Sequence, residues 1–160
     1  MPGLFELRRN FLKGSTSAAL LFPLLAAGLL KPTRVLAAEW NKNAFTARNI
    51  NDALKAYGGN NAVESRDILI NAPEIAENGA KVEVEITSNI ASTRSLAIFA
   101  DKNPMPICSA IDFSPPALPY VKAQIKLAET TRIRAVAKSA DGKTHVAFRE
   151  IKVTLGGCGG

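Results

Sequence analysis

The chain has 160 residues, enough for one ordinary domain once a targeting segment is set aside. Its net charge is +6, but residues 1–37 hold five basic residues and Glu6, so they carry +4 of it and the rest of the chain only +2. Aromatic residues make up 6% of the chain and have no basic clusters beside them, which argues against a nucleic-acid-binding protein.

The first 37 residues have the three regions of a signal peptide. The letters RRNFLK at residues 8–13 precede an apolar run over residues 15–30, and the letters VLA at residues 35–37 follow as a cleavage site. The paired Arg8 and Arg9 resemble the twin-arginine export motif and depart from it only in the residue before the pair. This resemblance implies export of the folded protein to the periplasm.

An uncleaved membrane anchor is the alternative for this segment. A helix needs about 20 apolar residues to cross a bilayer. The run here has about 16, with Pro23 inside it and small residues at its end. We therefore expect cleavage after Ala37 or Ala38, and no stable membrane insertion afterwards.

The mature domain, residues 38–155, opens with a helical pattern. Its apolar residues recur at helical spacing and the glycines at residues 58–59 end the pattern. The residues on the apolar face are Phe45, Ile50, Ala53, Leu54 and Tyr57. We predict one short amphipathic helix.

From residue 67 onward the apolar residues recur with a period of two. Val82, Val84 and Ile86 alternate with charged residues, as in a half-buried strand. Six further stretches look similar, separated by short breaks with turn residues. They are residues 68–71, 96–100, 106–112, 121–127, 131–139 and 144–155. We predict an all-β fold: an immunoglobulin-like β-sandwich of about seven strands, with the helix at its N-terminus.

The last five residues, 156–160, are the most informative. Gly156, Gly157, Gly159 and Gly160 surround Cys158 at the end of the chain. Glycine loses much entropy when it is ordered and buries no side chain, so this segment is predicted to be a mobile arm. We call residues 156–160 the carrier arm.

The thiol of Cys158 is suited to covalent attachment of a substrate. If Leu155 is the last anchored residue, Cys158 reaches about 10 Å beyond it. A thiol with an ordinary pKa near 8.5 is a few per cent ionised at neutral pH, and the thiolate is the nucleophile. Glycines on both sides also allow the arm to enter a narrow channel in another protein.

The terminal sequence Gly-Gly-Cys-Gly-Gly resembles that of the SoxY family, the carrier subunits of the thiosulfate-oxidising Sox system. Other segments resemble the family too, and the likeness spans essentially the whole mature chain. These segments are Pro73–Gly79, Asp101–Pro104, Ile125–Arg134 and Asp141–Lys143.

The resemblance implies an immunoglobulin-like fold and a sulfur substrate held on Cys158, the one residue that matches the carrier position. It also implies a heterodimer with a SoxZ-like β-sandwich subunit. The resemblance further implies three partner enzymes: a c-type haem enzyme that joins thiosulfate to the cysteine, a dimanganese hydrolase that releases sulfate, and a molybdenum-dependent sulfane dehydrogenase. The cofactors belong to these partners, and none is expected in this chain.

Two other reactive residues have ordinary interpretations. Cys108 lies in a predicted strand, where a thiol behaves as a small apolar residue, so we expect it to pack. A disulfide between Cys108 and Cys158 would immobilise the arm and is not expected. His145 is the only histidine, and the sequence around it does not indicate a role. No spacing typical of a metal site is present.

Two alternative functions remain. A thiol-dependent oxidoreductase would need a base beside the cysteine or a second cysteine in a Cys-x-x-Cys arrangement, and neither occurs near the carrier arm. A ubiquitin-like carrier would use a thiocarboxylate on the terminal diglycine. That chemistry needs cytoplasmic ATP, which the signal peptide opposes.

Overall fold

A computed structural model describes residues 40–157 of the chain. Two short helices precede nine strands. The helices are α1 (Lys42–Thr46) and α2 (Ile50–Tyr57), and the strands are β1 (Val63–Glu64), β2 (Ile68–Asn71), β3 (Ile75–Asn78), β4 (Val82–Ser88), β5 (Thr93–Ala100), β6 (Ile107–Asp112), β7 (Tyr120–Ile125), β8 (Thr131–Ser139) and β9 (Thr144–Leu155). No helix in this described range is long and apolar enough to cross a membrane.

The helical segment is two helices rather than the single helix predicted. Asn41 caps α1 by accepting a hydrogen bond from the amide of Ala44 (3.1 Å), and Asn49 caps α2 by accepting from the amide of Asp52 (2.9 Å). Ala47 between them has extended backbone, so a new helix starts after Asn49. The helix ends as predicted at Gly58, whose φ of +82° is left-handed.

The strands form two sheets. One has the order β1-β9-β8-β5-β6, with β3 also paired to β9, and the other has the order β2-β4-β7. The alternating apolar residues of β4 face the first sheet and pack there with residues of β5 and β8, such as Leu96 and Ile133. This arrangement confirms the all-β class and the seven predicted strands, which are β2 and β4–β9.

The count of about seven strands was too low, because β1 and β3 were missed. Both are short, and both pair in parallel with β9, whereas the other pairs are antiparallel. Val63 and Glu64 of β1 are exposed and show no alternation. Only the position of these segments beside β9 makes them strands.

The first sheet is covered on both faces. Leu96 and Ile98 of β5 face the second sheet, while Ala97 and Phe99 face a smaller core under the two helices. Strand β5 is therefore buried almost throughout, and its residues 96–100 form a continuous apolar run rather than an alternating one. The hairpin between β8 and β9 turns at Gly142, with φ of +83°, where a turn was predicted.

Candidate functional site

The predicted site residues Cys158, Gly159, Gly160, Arg8 and Arg9 lie outside the described residues, as does the whole predicted signal peptide over residues 1–37. Their roles therefore stay predictions. The structure does describe the base of the carrier arm, Gly156 and Gly157, and the surface from which it leaves the fold.

Strand β9 delivers the arm to one end of the sandwich. Asn78, the last residue of β3, pairs with Leu155, the last residue of β9. The amide of Gly79 then donates a hydrogen bond to the carbonyl of Leu155 (2.7 Å). The end of β9 is thus held by the turn that follows β3.

The loop between β7 and β8 holds the next residues. The amide of Gly157 donates a hydrogen bond to the carbonyl of Leu127 (2.8 Å), and the amide of Leu127 donates to the carbonyl of Gly79 (2.7 Å). Three distant parts of the chain are joined in this way. We call Gly79, Leu127 and Ala128 the tail socket.

The contacts in the tail socket are between backbones, and side chains would not fit. A Cβ atom on Gly156 would lie far inside van der Waals contact with the carbonyl oxygen of Ala128, and one on Gly157 far inside contact with the backbone of Gly79 and Ala80. A role for Gly156 and Gly157 in arm flexibility stays a prediction. In the structure they already pack closely against the fold.

Neighbouring polar side chains support the tail socket. Asn103 donates a hydrogen bond to the carbonyl of Lys126 (2.7 Å) and accepts one from the amide of Ala128 (3.0 Å). On the other side, the hydroxyl of Thr130 accepts a hydrogen bond from the amide of Val153 in β9 (2.9 Å). These bonds fix the β7–β8 loop on both sides of Leu127.

A charged cluster lies at the same end of the first sheet. Arg134 binds Asp101 through two hydrogen bonds (2.5 and 2.8 Å), and Arg132 donates a third to the same carboxylate (3.1 Å). Both guanidinium groups also lie over the ring of Phe148, at 4.8 and 5.3 Å from its centroid. Two cations share one carboxylate, and Glu150 of β9 lies opposite Arg132, so the charges of this surface are mixed in sign.

Cys108 lies in β6 and is half-buried against the core between the sheets. Its Sγ donates to the carbonyl of Pro106 (3.6 Å) and accepts from the side-chain amide nitrogen of Asn103 (3.8 Å). This placement agrees with the packing role expected for it.

His145 lies near the start of β9, opposite Ala137 of β8. Leu155 is at the other end of that strand, roughly 30 Å away at about 3.3 Å per residue. The only histidine in the chain is therefore remote from the base of the carrier arm. Within residues 40–157 there is also no group of three or more His, Cys, Asp or Glu residues that could hold a metal ion.

Gly79, Asn103 and Leu127 were not predicted as site residues. Asparagine and glycine are common in turns, so nothing local distinguishes them. The available signal was that each falls in a segment that resembles the SoxY family: Pro73–Gly79, Asp101–Pro104 or Ile125–Arg134. These three segments converge on the base of the arm.

Comparisons with known proteins agree with this likeness. The family model described as sulfur oxidation protein SoxY matches residues 53–158. The sulfur carrier protein SoxY from Chlorobium limicola f thiosulfatophilum is 36% identical, with a TM-score of 0.61, and the match covers 71% of this chain and 99% of that one.

A weaker structural likeness is to a superoxide reductase (neelaredoxin) from Ignicoccus hospitalis. It is 22% identical, covers 55% of this chain and 80% of that one, and has a TM-score of 0.49, which is too distant to indicate a function. No curated protein matches the chain significantly. The family model and the Chlorobium structure agree, and the chain belongs to the SoxY family of sulfur-oxidation proteins.

Proposed function

We propose that this protein is a periplasmic sulfur carrier that binds thiosulfate-derived intermediates covalently on Cys158. Membership of the SoxY family supports the carrier role. The base of the arm supports the assignment of Cys158 as the attachment point. Gly157 is bound at the surface of the fold, and Cys158 follows it directly in the sequence. The proposed carrier cysteine is therefore the immediate neighbour in sequence of a residue that is anchored to the fold.

The first step loads the carrier. The thiolate of Cys158 and the terminal sulfur of thiosulfate form an S–S bond, and two electrons pass to a c-type haem enzyme. The product is a Cys158 thiosulfonate with one negative charge. Cys158 acts as the attachment point, and the redox cofactor belongs to the partner enzyme.

The second step releases sulfate. Water attacks the terminal sulfonate sulfur, the bond to the neighbouring sulfur breaks, and sulfate leaves with two protons. A persulfide stays on Cys158. In our proposal a dimanganese hydrolase catalyses this step, and a molybdenum-dependent sulfane dehydrogenase oxidises the remaining sulfur.

The carrier would act as a heterodimer with a SoxZ-like β-sandwich subunit, a partner that membership of the family implies. Export through the twin-arginine pathway, for which Arg8 and Arg9 are the signal, would deliver the assembled pair to the periplasm. The paired arginines and the apolar run behind them support this route.

The two alternatives have less support. An oxidoreductase that uses Cys158 needs a base beside it, and His145 lies roughly 30 Å from the base of the arm along β9. A terminal thiocarboxylate needs cytoplasmic ATP and gives Cys158 no role. Neither alternative explains a cysteine between two pairs of glycines.

Intact mass spectrometry with peptide mapping tests the proposal. The mature protein is incubated with thiosulfate and the haem enzyme, with Cys158→Ser and Cys108→Ala as matched variants. We expect a sulfur adduct on the C-terminal peptide that is lost in Cys158→Ser and kept in Cys108→Ala. Full turnover by Cys158→Ser, an adduct on Cys108, or a thiocarboxylate on Gly160 would overturn it.

A further inference from the structure

We propose that Gly79 and Asn103 are positioning residues for the carrier arm, and that the hinge of the arm lies at Gly157 rather than at Leu155. Both residues would act through the tail socket, without touching the sulfur. The inference rests on the proposed carrier function. It adds residues from distant parts of the chain that determine where the thiol leaves the fold.

The argument for Gly79 is steric. A Cβ atom at this position would lie far inside contact with the carbonyl oxygen of Leu127, 2.8 Å from the amide nitrogen of Gly157 and 2.9 Å from Cγ1 of Val153. Two of these three neighbours are backbone atoms, which cannot move aside as a flexible side chain can. Only glycine lets the β3–β4 turn approach the loop and the arm closely enough for both to bind it.

Gly79 also takes part in two of the hydrogen bonds that hold the arm. Its amide binds the carbonyl of Leu155, and its carbonyl accepts from Leu127, whose own carbonyl binds Gly157. Displacing Gly79 would therefore disturb the end of β9 and the anchor of Gly157 together.

Asn103 acts on the other side of the tail socket. Its amide group bonds to the backbone before and after Leu127, at Lys126 and Ala128. The carbonyl of Leu127 is thereby aimed at Gly157. An alanine at residue 103 would remove both bonds and the contact with Sγ of Cys108, but would leave the side chains of the core between the sheets unchanged.

The anchored base shortens the arm. Cys158 is the first residue beyond the hydrogen-bonded Gly157, and consecutive Cα atoms are about 3.8 Å apart. If the arm were anchored at Leu155, Cys158 would reach about 10 Å beyond that residue. With a shorter arm, a partner enzyme must bind the surface around the tail socket to receive the thiol. A misplacement of about 1 Å can cost about 100-fold in rate, so a fixed exit point matters.

Amide hydrogen exchange in the full-length mature chain tests the tail socket without any assay of function. We expect the amides of Gly157 and Leu127 to be protected in the unmodified protein. In Gly79→Ala, the amide of Gly157 should exchange at least about tenfold faster while the amides of β5 stay protected. Exchange of Gly157 at the rate of an unstructured peptide in the unmodified protein would overturn the inference.

Loading of Cys158 by the haem enzyme tests the positioning role. Gly142→Ala is the matched control, because Gly142 has a left-handed φ of +83° and nothing within 4 Å of an added Cβ, at the opposite end of β9. That variant strains the backbone without touching the arm. We expect Gly79→Ala to lower kcat about tenfold with KM within about twofold, and Gly142→Ala to change neither. Equal losses in both would assign the effect to general destabilisation and overturn the inference.

Asn103→Ala keeps the test decisive if Gly79→Ala does not fold. It should raise the exchange of Gly157 and lower kcat in the same direction, and unchanged values of both would overturn the role of Asn103. The failure of the carrier function is separate: a protein that never gains a sulfur adduct on Cys158 would refute the proposed function, while protection of Gly157 would still establish the tail socket.

Discussion

The amide of Gly157 donates a hydrogen bond to the carbonyl of Leu127 at 2.8 Å, and this bond joins the carrier arm to the β7–β8 loop. Gly156 lies against the next residue of that loop, Ala128, with no space for a side chain. Gly156 and Gly157 of the glycine-rich tail therefore pack against the folded domain. In our proposal, freedom of movement begins only at the residue that carries the sulfur.

Valine in place of Gly157 or Gly159 should lower turnover with the partner enzymes at least about tenfold, which is about 1.4 kcal/mol of transition-state stabilisation. At residue 159 a β-branched side chain restricts the backbone and widens the peptide where a partner's channel would enclose it. At residue 157 the side chain collides with Gly79 and Ala80 and displaces the base of the arm. Alkylation of Cys158 by a small reagent needs no channel, so its rate should change little. Unchanged turnover in both variants would mean that the tail is only a tether.

These two valine variants should differ in amide exchange. A side chain on Gly157 collides with Gly79 and Ala80, so Gly157→Val should release the arm from the tail socket. Gly159→Val lies beyond the anchored residue and should keep the amide of Gly157 protected. Equal protection in both variants would contradict the steric account.

Replacing Arg8 and Arg9 with lysine should leave a folded, uncleaved precursor in the cytoplasm. The twin-arginine pathway requires the arginine pair, and lysine keeps the charge while changing its geometry. Cell fractionation followed by blotting for the precursor and mature forms is the measurement. Mature protein in the periplasm at normal levels would show that another export route is used.

Cys108→Ala should lower the free energy of unfolding by about 1 kcal/mol and leave sulfur loading intact. Cys108 is half-buried and packs against the core between the sheets, so its loss removes contacts but no carrier group. Cys158→Ser should instead abolish sulfur loading and leave the free energy of unfolding unchanged. Denaturant melts together with loading assays compare the two, and loss of loading in Cys108→Ala would give that thiol a role beyond packing.

Tyr57→Phe should lower the free energy of unfolding by about 1–2 kcal/mol near neutral pH. The hydroxyls of Tyr57 and Ser95 are buried and form a hydrogen bond of 2.9 Å, so the change leaves Ser95 without this partner. The edge-to-face contact with Phe99 is kept, because phenylalanine has the same ring. Urea denaturation curves of the two proteins measure the difference, and identical curves would contradict the prediction.

The same pair of proteins should differ at alkaline pH. Burial raises the pKa of Tyr57 above its ordinary value, so the folded state favours the neutral hydroxyl. The stabilisation from this shift is fully present below the unfolded pKa of about 10 and is lost as the pH rises through the folded pKa. The unfolding free energy of the unmodified protein should therefore fall more steeply than that of Tyr57→Phe above about pH 10.

Asp141→Asn should make the protein less sensitive to acid. Hydrogen bonds from the hydroxyl of Ser139 and from Lys143 hold the pKa of Asp141 well below its usual range. The resulting stabilisation is present above the unfolded pKa of about 3.9 and is lost as the pH falls through the folded pKa. Between pH 7 and about pH 3, the melting temperature should fall further in the unmodified protein than in the variant. An equal fall in both would contradict this role for the hairpin.

The amino-acid sequence by itself determined the fold class and most of the strands. The alternation in β4 and the turn at Gly142 are local signals, because side chains in a strand point alternately to two faces and a left-handed backbone favours glycine. The end of α2 at Gly58 is local in the same sense. The position of Cys158 between glycines likewise needs no fold to be recognised.

Only the tertiary structure decided which residues surround the base of the carrier arm. Gly79, Leu127 and Gly157 are far apart in the chain, and each of their hydrogen bonds depends on β9 running between β3 and β8. Strand β3 itself exists because Ile75–Asn78 lies beside β9, and no periodicity marks it. Close contacts between distant backbones leave no pattern in neighbouring residues, so the tail socket could be found only once the chain was folded.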